Sequence, residues 1–230
     1  MNNTELLKAI QERHSVRSYI NKPIPQDIVD VLNADIRRLN QEGNLHIQLV
    51  TNEPNAFQGR HSYGVFKGVS NYFVMAGKKG GDLDYRVGYY GEQLVLLAQS
   101  LGLNTCWVGL TYSKTKGAFS LPEGEKISCV IALGYGADNG RVRKSKAAQS
   151  VSNVGSNSPQ WFFDAVDAAL KAPTAVNQQK FHFQLLADGN EPQVRAKATF
   201  SLAGYTQTDL GIAKLHFEIG AQRPIKWNDK

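Results

Sequence analysis

Apolar residues recur along the chain at two spacings, and each spacing predicts a type of secondary structure. Leu6, Leu7 and Ile10 lie about three to four residues apart, which is typical of a helix with one buried face. The stretch LHIQLVT, residues 45–51, alternates apolar and polar side chains as a half-buried strand does. By these patterns the predicted helices cover about residues 3–12, 26–39, 91–103, 160–171 and 206–220. The predicted strands cover about residues 45–51, 72–77, 106–110, 127–136, 181–187 and 193–200.

Two pairs of segments resemble each other at about half the chain length. Residues 27–49 align with residues 164–185 with one gap, and Asp, Asn, Gln, His and Leu recur at matched positions. Residues 85–94 align with residues 205–214 and share a tyrosine and a glycine at the same separation. Residues 137–159 are rich in Gly, Ser, Asn and Lys, which predicts an exposed crossing segment. Such matches also arise by chance between amphipathic helix–strand units, so the pattern alone leaves internal duplication open.

The composition bounds the fold and the possible partners. The chain has 230 residues, 42% of them hydrophobic, which is enough for one large domain or two small ones. Its net charge of +6 suits an anionic small ligand and a nucleic acid equally well. The densest basic run, RVRKSK at residues 141–146, has no nucleic-acid-binding motif around it. We therefore expect no nucleic-acid partner, and a basic nucleic-acid binder remains an alternative.

The cysteines, histidines and apolar stretches argue against a metal site, a secreted fold and a membrane span. Cys106 and Cys129 each lie inside an apolar run, which predicts buried, reduced thiols in a cytoplasmic protein. The histidines show no HExxH spacing and no cysteine partners, so we expect no metal. Residues 1–15 are charged and contain no apolar core of signal-peptide length, so we expect no signal peptide there, and the stretch LVLLAQSLGL is too short to span a bilayer.

Two segments carry basic and hydroxyl side chains that suit a phosphate. In RHSVR, the residues Arg13, Ser15 and Arg17 would project to one side of an extended chain. Two guanidinium groups and a hydroxyl can donate several hydrogen bonds to one phosphate. The alternative for this segment is a solvated basic end of a helix. RKSK, residues 143–146, is a second basic cluster, which by itself is typical of a solvated loop.

Two further segments have a composition that suits contact with a ligand. NTCWVGL ends a predicted strand at Gly109, where main-chain amides could face a ligand, although simple packing explains it equally well. APTAVNQQKF, residues 172–181, places four short polar side chains between a helix and a strand. By contrast, GYGADNG has GxGxxxG spacing with no predicted apolar helix after it, and GKKGGD lacks the GK[ST] sequence and the predicted helix of a phosphate-binding loop, so we reject both as nucleotide sites.

Four of these segments together resemble the nitroreductase superfamily of FMN enzymes. ERHSVRSYINKPIP resembles the opening helix of that family, its Arg-x-Ser-x-Arg/Lys segment and its proline-bearing link. APTAVNQQKFHF resembles its Ala-Pro-Ser-x-x-Asn-x-Gln-Pro-Trp loop and the strand after it. SLGLNTCWVGL resembles its Gly-Leu-Gly-x-x-x-(Ile/Val)-Gly segment, and VIALGYG with the later RKSK resembles its strand and basic pair. Each motif is moderately specific, and the four together cover most of the chain.

One of these motifs lies in an unexpected place. In ordinary members the Ala-Pro-Ser loop follows the second helix, which here would be near residue 40, but that position reads NADIRRLNQEGN. Ordinary members are homodimers whose flavin contacts the phosphate arm of one subunit and the loop of the other. The resemblance therefore implies an α+β, nitroreductase-like fold with two similar halves that form an internal pseudo-dimer around one flavin site. Residues 1–136 would carry the arm and residues 160–230 the loop, joined by residues 137–159, and the protein would be a monomer.

The resemblance also implies a role for each motif. The candidate cofactor-binding residues are Arg13, His14, Ser15, Arg17, Trp107, Val108, Gly109, Lys144, Lys146, Pro173, Thr174, Ala175, Asn177 and Gln178. The arm and the two lysines would bind the FMN phosphate, and Arg17 would lie against the pyrimidine edge of the flavin. The loop would line the ring and its polyol, and the main chain at Val108–Gly109 would approach flavin N5. Trp107 would pack nearby or in the core, and no protein acid or base is implied.

The activity that the resemblance implies is an FMN-dependent NAD(P)H oxidoreductase. It would reduce nitro compounds, quinones or similar small acceptors by hydride transfer, with NAD(P)H and the acceptor using one space in turn. The alternative is a non-catalytic flavin-binding protein of the same fold, for storage or sensing. No motif encodes the physiological acceptor or the choice between NADH and NADPH. Residues 55–70 are expected near the site, with no role assigned to His61, Tyr63 or Lys67.

Overall fold

The structure is a computed structural model that describes residues 1–58 and 64–228. The chain divides into two compact units that are interleaved in sequence. The terminal unit comprises Met1–Gln11, Asp84–Gln93 and Arg143–Lys230, and the central unit comprises Glu12–Leu83 and Leu94–Val142. The predicted division into residues 1–136, 137–159 and 160–230 concerns an evolutionary repeat and stays a prediction.

The central unit is built around a four-stranded antiparallel sheet. Its strands are β1 (Gln48–Val50), β2 (Asn71–Lys78), β3 (Asn104–Val108) and β4 (Glu125–Gly134). They lie in the order β1-β2-β4-β3, so β2 and β4 occupy the middle of the sheet. The seven residues Asn71–Gly77 of β2 are all buried, which explains why this strand is almost continuously apolar. Helix α2 (Gln26–Gly43) precedes the sheet, and Asn44, the residue after it, adopts a left-handed conformation with φ 46° that ends the helix.

The terminal unit combines helices with a small sheet. It contains three whole helices: α4 (Ala148–Val151), α5 (Gln160–Leu170) and α6 (Thr206–Ala221). It also contains α1 (Asn3–Glu12) as far as Gln11, and the segment Asp84–Gln93 of α3 (Leu83–Ser100). Strands β5 (Phe181–Ala187), β6 (Gln193–Ala198) and β7 (Lys226–Trp227) form a sheet in that order. The rings of Phe183 and Phe217 stack at 4.5 Å between centroids, and this contact joins the sheet to α6.

Helices α3 and α6 approach each other closely at two glycines. A Cβ atom on Gly88 would lie 2.1 Å from the carbonyl oxygen of Thr208, and one on Gly211 would lie 2.2 Å from that of Tyr85. No side chain larger than hydrogen fits at either position without moving a backbone. Glycine inside a helix costs about 1 kcal/mol relative to alanine, so the close crossing is what makes glycine suitable here.

A buried hydrogen bond joins the same two helices, between residues that follow the crossing glycines by four or five positions. Glu92 and His216 are both fully buried, and the His216 Nε2 atom lies 2.9 Å from Glu92 Oε1. The Nδ1 atom of His216 lies 3.1 Å from the carbonyl oxygen of Ala168, which can only accept, so Nδ1 carries a proton. Both ring nitrogens of His216 therefore have a partner, and so does the buried Glu92 carboxyl group.

The predicted elements are largely confirmed, with differences at their ends. Helix α2 continues to Gly43, and α3 begins at Leu83 rather than at residue 91. The apolar stripe of α3 extends through buried Leu83 and Val87, and the packing against α6 keeps Gly88 helical. Helix α4 and strand β7 were not predicted. Within residues 137–159, Val151 and Val154 are buried, so this segment is not exposed throughout as predicted.

No helix among the described residues combines the length and the apolar character that crossing a membrane requires.

Candidate functional site

Residues 13–19, which we call the arm, are fixed to the rest of the central unit by main-chain hydrogen bonds. The amide of Val16 donates to the carbonyl of Thr105 at 3.0 Å, at the sheet edge formed by β3. The amide of Tyr19 donates to Lys67 at 2.9 Å, and the amide of Ala137 donates to Ser18 at 2.8 Å. Main-chain hydrogen bonds to three separate segments therefore fix the backbone of the arm, from which its side chains project.

Two of the predicted phosphate-binding side chains come together in the arm. The guanidinium of Arg13 is buried, and its Nη2 atom lies 3.5 Å from the hydroxyl oxygen of Ser15. Gly140 packs directly on this part of the arm, because a Cβ atom there would lie 2.9 Å from the Cβ of His14. Arg17 is exposed, whereas His14 and Ser15 are half-buried. The alternating spacing thus correctly pairs Arg13 with Ser15, while Arg17 lies in a different environment.

The arm also connects to the end of β3, where the next three predicted residues lie. Trp107 and Val108 pair with Ile131 and Val130 of β4, and the strand ends at Val108. Val108 is buried, and both Trp107 and Gly109 are half-buried. Because the arm bonds to Thr105 three residues before Val108, the two predicted groups of the central unit lie along one edge.

The remaining predicted residues lie in the terminal unit, in and beside a segment we call the polar loop, Thr174–Gln179. Its backbone is strained at three non-glycine residues, since φ is 45° at Val176, 56° at Asn177 and 43° at Gln179. A β-branched residue such as valine rarely adopts this left-handed conformation, and each such residue costs on the order of 1 kcal/mol or more. The surrounding structure must therefore hold the loop in place.

A buried carboxylate from α6 holds the polar loop at two points. Asp209 accepts a hydrogen bond from the amide of Ala175 at 3.0 Å and another from Gln178 Nε2 at 2.6 Å. Its side chain is only 3% exposed. Burial raises the pKa of this carboxyl to about 6, against the opposing effect of the hydrogen bonds from Gln178 and Ala175. Sequence reasoning missed Asp209, because an aspartate in the first turn of a helix is common for electrostatic reasons alone.

The side-chain amides of the loop are engaged within the protein. Gln178 Nε2 also donates to the carbonyl of Gly204 at 2.9 Å, and Gln178 Oε1 accepts a hydrogen bond from the hydroxyl of Ser201. Gln179 bridges the amide of Lys146 and the carbonyl of Leu170, both at 2.8 Å. These glutamines fix the shape of the loop, and the side-chain donors of Gln178 are already used.

The basic segment at residues 143–146 runs along the polar loop. The ammonium of Lys146 donates to the carbonyls of Gln178 and Gln179, at 2.7 and 3.0 Å. Desolvation of the ammonium group, together with a smaller effect of the positive charge of Lys180, lowers the pKa of this lysine. Lys144 is exposed, and its carbonyl accepts a hydrogen bond from Asn177 Nδ2 at 2.9 Å. The two lysines and the loop are thus one connected group.

The structure therefore gathers the predicted residues into two groups, one in each unit. The central group contains Arg13, His14, Ser15, Arg17, Trp107, Val108 and Gly109. The terminal group contains Lys144, Lys146, Pro173, Thr174, Ala175, Asn177 and Gln178. Of the three residues left without a role, Lys67 bonds to the arm through its main chain, and His61 and Tyr63 lie outside the described residues.

Comparison with protein families places both groups in a known family. The family model described as "Putative TM nitroreductase" matches residues 5–221. The chain belongs to this nitroreductase family. The match includes the arm, the end of β3, the basic segment and the polar loop, and it confirms the resemblance seen in the four sequence motifs.

Two solved structures agree on the fold of this family member, and a third is more weakly similar. A "putative nitroreductase" from Thermotoga maritima is 22% identical, with a TM-score of 0.62, and the match covers 97% of this chain and 88% of that one. A "putative NADH dehydrogenase/NAD(P)H nitroreductase" from Parabacteroides distasonis is 20% identical with a TM-score of 0.51, covering 67% and 98%. A "putative nitroreductase in complex with FMN" from Desulfovibrio desulfuricans is 19% identical with a TM-score of 0.48, covering 64% and 94%. A search of the curated proteins found no match.

Proposed function

We propose that this protein is an FMN-dependent oxidoreductase that uses NAD(P)H to reduce a small nitro compound, quinone or similar acceptor. The observation that carries this proposal is the buried Arg13 guanidinium beside the Ser15 hydroxyl in a rigidly held arm. The arm lies within a chain that belongs to a nitroreductase family. A fixed cation with an adjacent neutral donor fits the dianionic phosphate of FMN.

The chemistry of the other donors also fits FMN. When bound, FMN supplies the two-electron hydride chemistry that no amino-acid side chain provides. Arg17, which is exposed, would place a positive charge near the pyrimidine edge. The half-buried ring of Trp107 and the glycine after Val108 would offer an uncharged surface to a planar ring system. The polar loop, held by Asp209, would orient that ring system through its main chain.

We further propose that the protein is a monomer whose two halves derive from a duplicated unit and contribute to one flavin site. The crossing of α3 and α6 supports this. In the alignment of residues 85–94 with residues 205–214, Gly88 is matched to Thr208, and these two residues are in contact. A residue that touches its own counterpart is expected where a two-fold axis passes between two related elements.

The roles of the chain in turnover would be binding, orientation and exclusion of water. No protein acid or base is required for hydride transfer, and NAD(P)H would leave before the acceptor enters the same space. A cytoplasmic location is proposed on the basis of Cys106 and Cys129, which are both buried free thiols.

Equilibrium dialysis with FMN tests whether Arg13 of the arm binds the cofactor. The wild-type protein is expected to bind one FMN per chain, and Arg13→Ala is expected to weaken binding by about tenfold to a hundredfold, since a charged hydrogen bond contributes roughly 1.5–3 kcal/mol. Arg37→Ala is the matched control, because Arg37 is an exposed arginine on α2 and its loss changes the net charge equally. Equal binding by Arg13→Ala and Arg37→Ala would contradict the proposed role of the arm.

A further inference from the structure

Three strongly exposed apolar side chains lie in two neighbouring loops of the terminal unit. Leu202 is 94% exposed, Val176 84% and Phe200 81%. Val176 belongs to the polar loop, and the other two belong to residues 199–204, which we call the apolar loop. Single exposed apolar residues are ordinary on a protein surface, but three of them in adjacent loops indicate a surface that binds another molecule.

Hydrogen bonds hold the apolar loop in a defined turn and join it to the polar loop. The amide of Thr199 donates to the carbonyl of Lys180 at 2.8 Å, which continues the pairing of β5 with β6. Gln178 donates to the carbonyl of Gly204 at 2.9 Å and accepts from the hydroxyl of Ser201. Folding gains little from a phenylalanine and a leucine that stay in water, so a fixed loop that presents them is suited to contact with a partner.

The outer face of the β5–β6 hairpin, which adjoins the apolar loop, is basic. Side chains alternate between the two faces of a strand, and Phe181 and Phe183 of β5 are buried on the inner face. The outer face therefore carries Arg195 and exposed Lys197 of β6, and Lys180 precedes β5 on the same side. The apolar loop follows β6 directly, and its first residue is hydrogen-bonded to Lys180. We call these three basic residues, together with the apolar loop, the basic–apolar surface.

The segments that build this surface carry positive charge and no negative charge in the sequence. Residues 168–187 and 192–208 together contain four basic residues and no aspartate or glutamate. Residues 143–163, which run along the polar loop, contain three basic residues and again no acidic one. Desolvation lowers the pKa of His182, and the positive charge of Lys197 lowers it further. The potential at this surface is therefore positive, which favours an anionic partner.

The acidic residues that border these segments leave the basic side chains unneutralised. Asp188 and Glu191 lie in the turn between β5 and β6, at the opposite end of the hairpin from the apolar loop. Asp209 is buried and accepts hydrogen bonds from the polar loop. In the part of the chain that the structure describes, no ion pair involves Lys180 or Lys197. Both ammonium groups are thus available to a partner.

We propose that the basic–apolar surface binds the face of an anionic lipid bilayer. Phe200 and Leu202 enter the boundary between head groups and acyl chains, while Lys180 and Lys197 contact the phosphate groups of anionic lipids. The contact is peripheral and needs no spanning helix. Two aliphatic side chains beside one aromatic ring suit acyl chains better than nucleic-acid bases, which bind by stacking on several aromatic rings. This inference is independent of the proposed oxidoreductase function.

Co-sedimentation with lipid vesicles tests the inference on the whole chain. We expect the wild type to bind vesicles of equal parts phosphatidylcholine and phosphatidylglycerol, and to bind pure phosphatidylcholine vesicles about tenfold more weakly. Phe200→Ser/Leu202→Ser should weaken binding to the anionic vesicles by about tenfold, because two apolar side chains no longer leave water. Lys180→Gln/Lys197→Gln should weaken it by about tenfold to thirtyfold at low salt and have little effect at high salt, where the charges are screened.

Matched variants of the central unit serve as controls. Val31→Ser/Leu121→Ser also removes two exposed apolar side chains, and Lys78→Gln/Lys79→Gln also removes two exposed lysines. Neither control should change vesicle binding, and circular dichroism checks that every variant is folded. Phe200→Trp adds a direct probe of insertion, since brominated acyl chains should quench the fluorescence that this variant has in excess of the wild type.

Several outcomes would overturn the inference. Failure of the wild type to bind the anionic vesicles would do so directly, and so would equal binding by the surface variants and their controls. Tighter binding to a double-stranded oligonucleotide than to the vesicles would assign the surface to a nucleic acid. Loss of a dimer on gel filtration in Phe200→Ser/Leu202→Ser would assign it to self-association. FMN binding and NAD(P)H oxidation are separate measurements, so their failure would refute the proposed function and leave the vesicle result unaffected.

Discussion

Asp209 is a buried group whose ionisation has a measurable effect on stability. Burial raises the pKa of its carboxyl to about 6 from its ordinary value of 3.8, so the folded protein holds this proton more tightly than the unfolded chain. The resulting stability is fully present below about pH 4 and is lost as the pH rises through about 6. The difference between the two pKa values corresponds to about 3 kcal/mol of unfolding free energy, at about 1.4 kcal/mol per tenfold change.

Substitution of Asp209 by asparagine isolates this effect. The asparagine cannot ionise, so the unfolding free energy of the wild type minus that of Asp209→Asn depends on pH only through this carboxyl. We expect that difference to fall by about 2 kcal/mol between pH 4.5 and pH 7, the part of the total that lies in this range. Urea denaturation at five pH values, followed by tryptophan fluorescence, measures it. His182 is close in sequence to the loop, and its pKa is lowered by burial and, to a smaller extent, by the positive charge of Lys197. Because His182 is present in both proteins, its contribution to the pH dependence cancels in the difference.

The control for Asp209→Asn is Thr208→Val, a neighbouring buried position on α6 without an ionisable group. Its effect on the unfolding free energy should be the same at every pH. A difference between wild type and Asp209→Asn that stays constant from pH 4.5 to 7, or rises with pH, would refute the assignment of a raised pKa to Asp209.

Three further predictions concern other parts of the molecule. Arg13→Lys should bind FMN more tightly than Arg13→Ala but less tightly than the wild type, as measured by dialysis, because lysine keeps the charge and loses the paired donors. Gly88→Ala should lower the unfolding free energy by about 2–3 kcal/mol in urea, since its Cβ would overlap the Thr208 carbonyl, whereas Gly155→Ala, with open space around it, should change it little. Thr208→Val should raise the unfolding free energy by about 1 kcal/mol, because its buried hydroxyl has no hydrogen-bond partner among residues 1–58 and 64–228; an unchanged or lower denaturation midpoint would contradict this.

Sequence periodicity predicted most of the helices and strands because one face of each is apolar. The stripe of α2 and the unbroken apolar run of β2 are local signals that a reader of the sequence can see. The early start of α3 at Leu83 was hidden, because Gly88 weakens a helix unless another backbone packs against it. That packing partner, Thr208, lies far away in the sequence.

The candidate site shows the same division between local and distant information. The motif that contains Arg13 and Ser15 was visible because both residues lie within one short segment. The support of the polar loop was not visible, since Asp209 lies more than thirty residues after Ala175 and only the fold brings them together. Nor could the sequence indicate that the side chain of Gln178 forms hydrogen bonds with Gly204, Ser201 and Asp209.

The most direct test of the account is an absorption spectrum of the purified protein after FMN has been added and the excess removed. The account predicts flavin bands at about one FMN per chain, which NADPH or NADH bleaches and a quinone or nitroaromatic restores. Two flavins per chain would contradict the single site, and bound flavin that neither nicotinamide bleaches would point to storage or sensing. A protein that shows no flavin bands after the excess FMN has been removed would contradict the central claim.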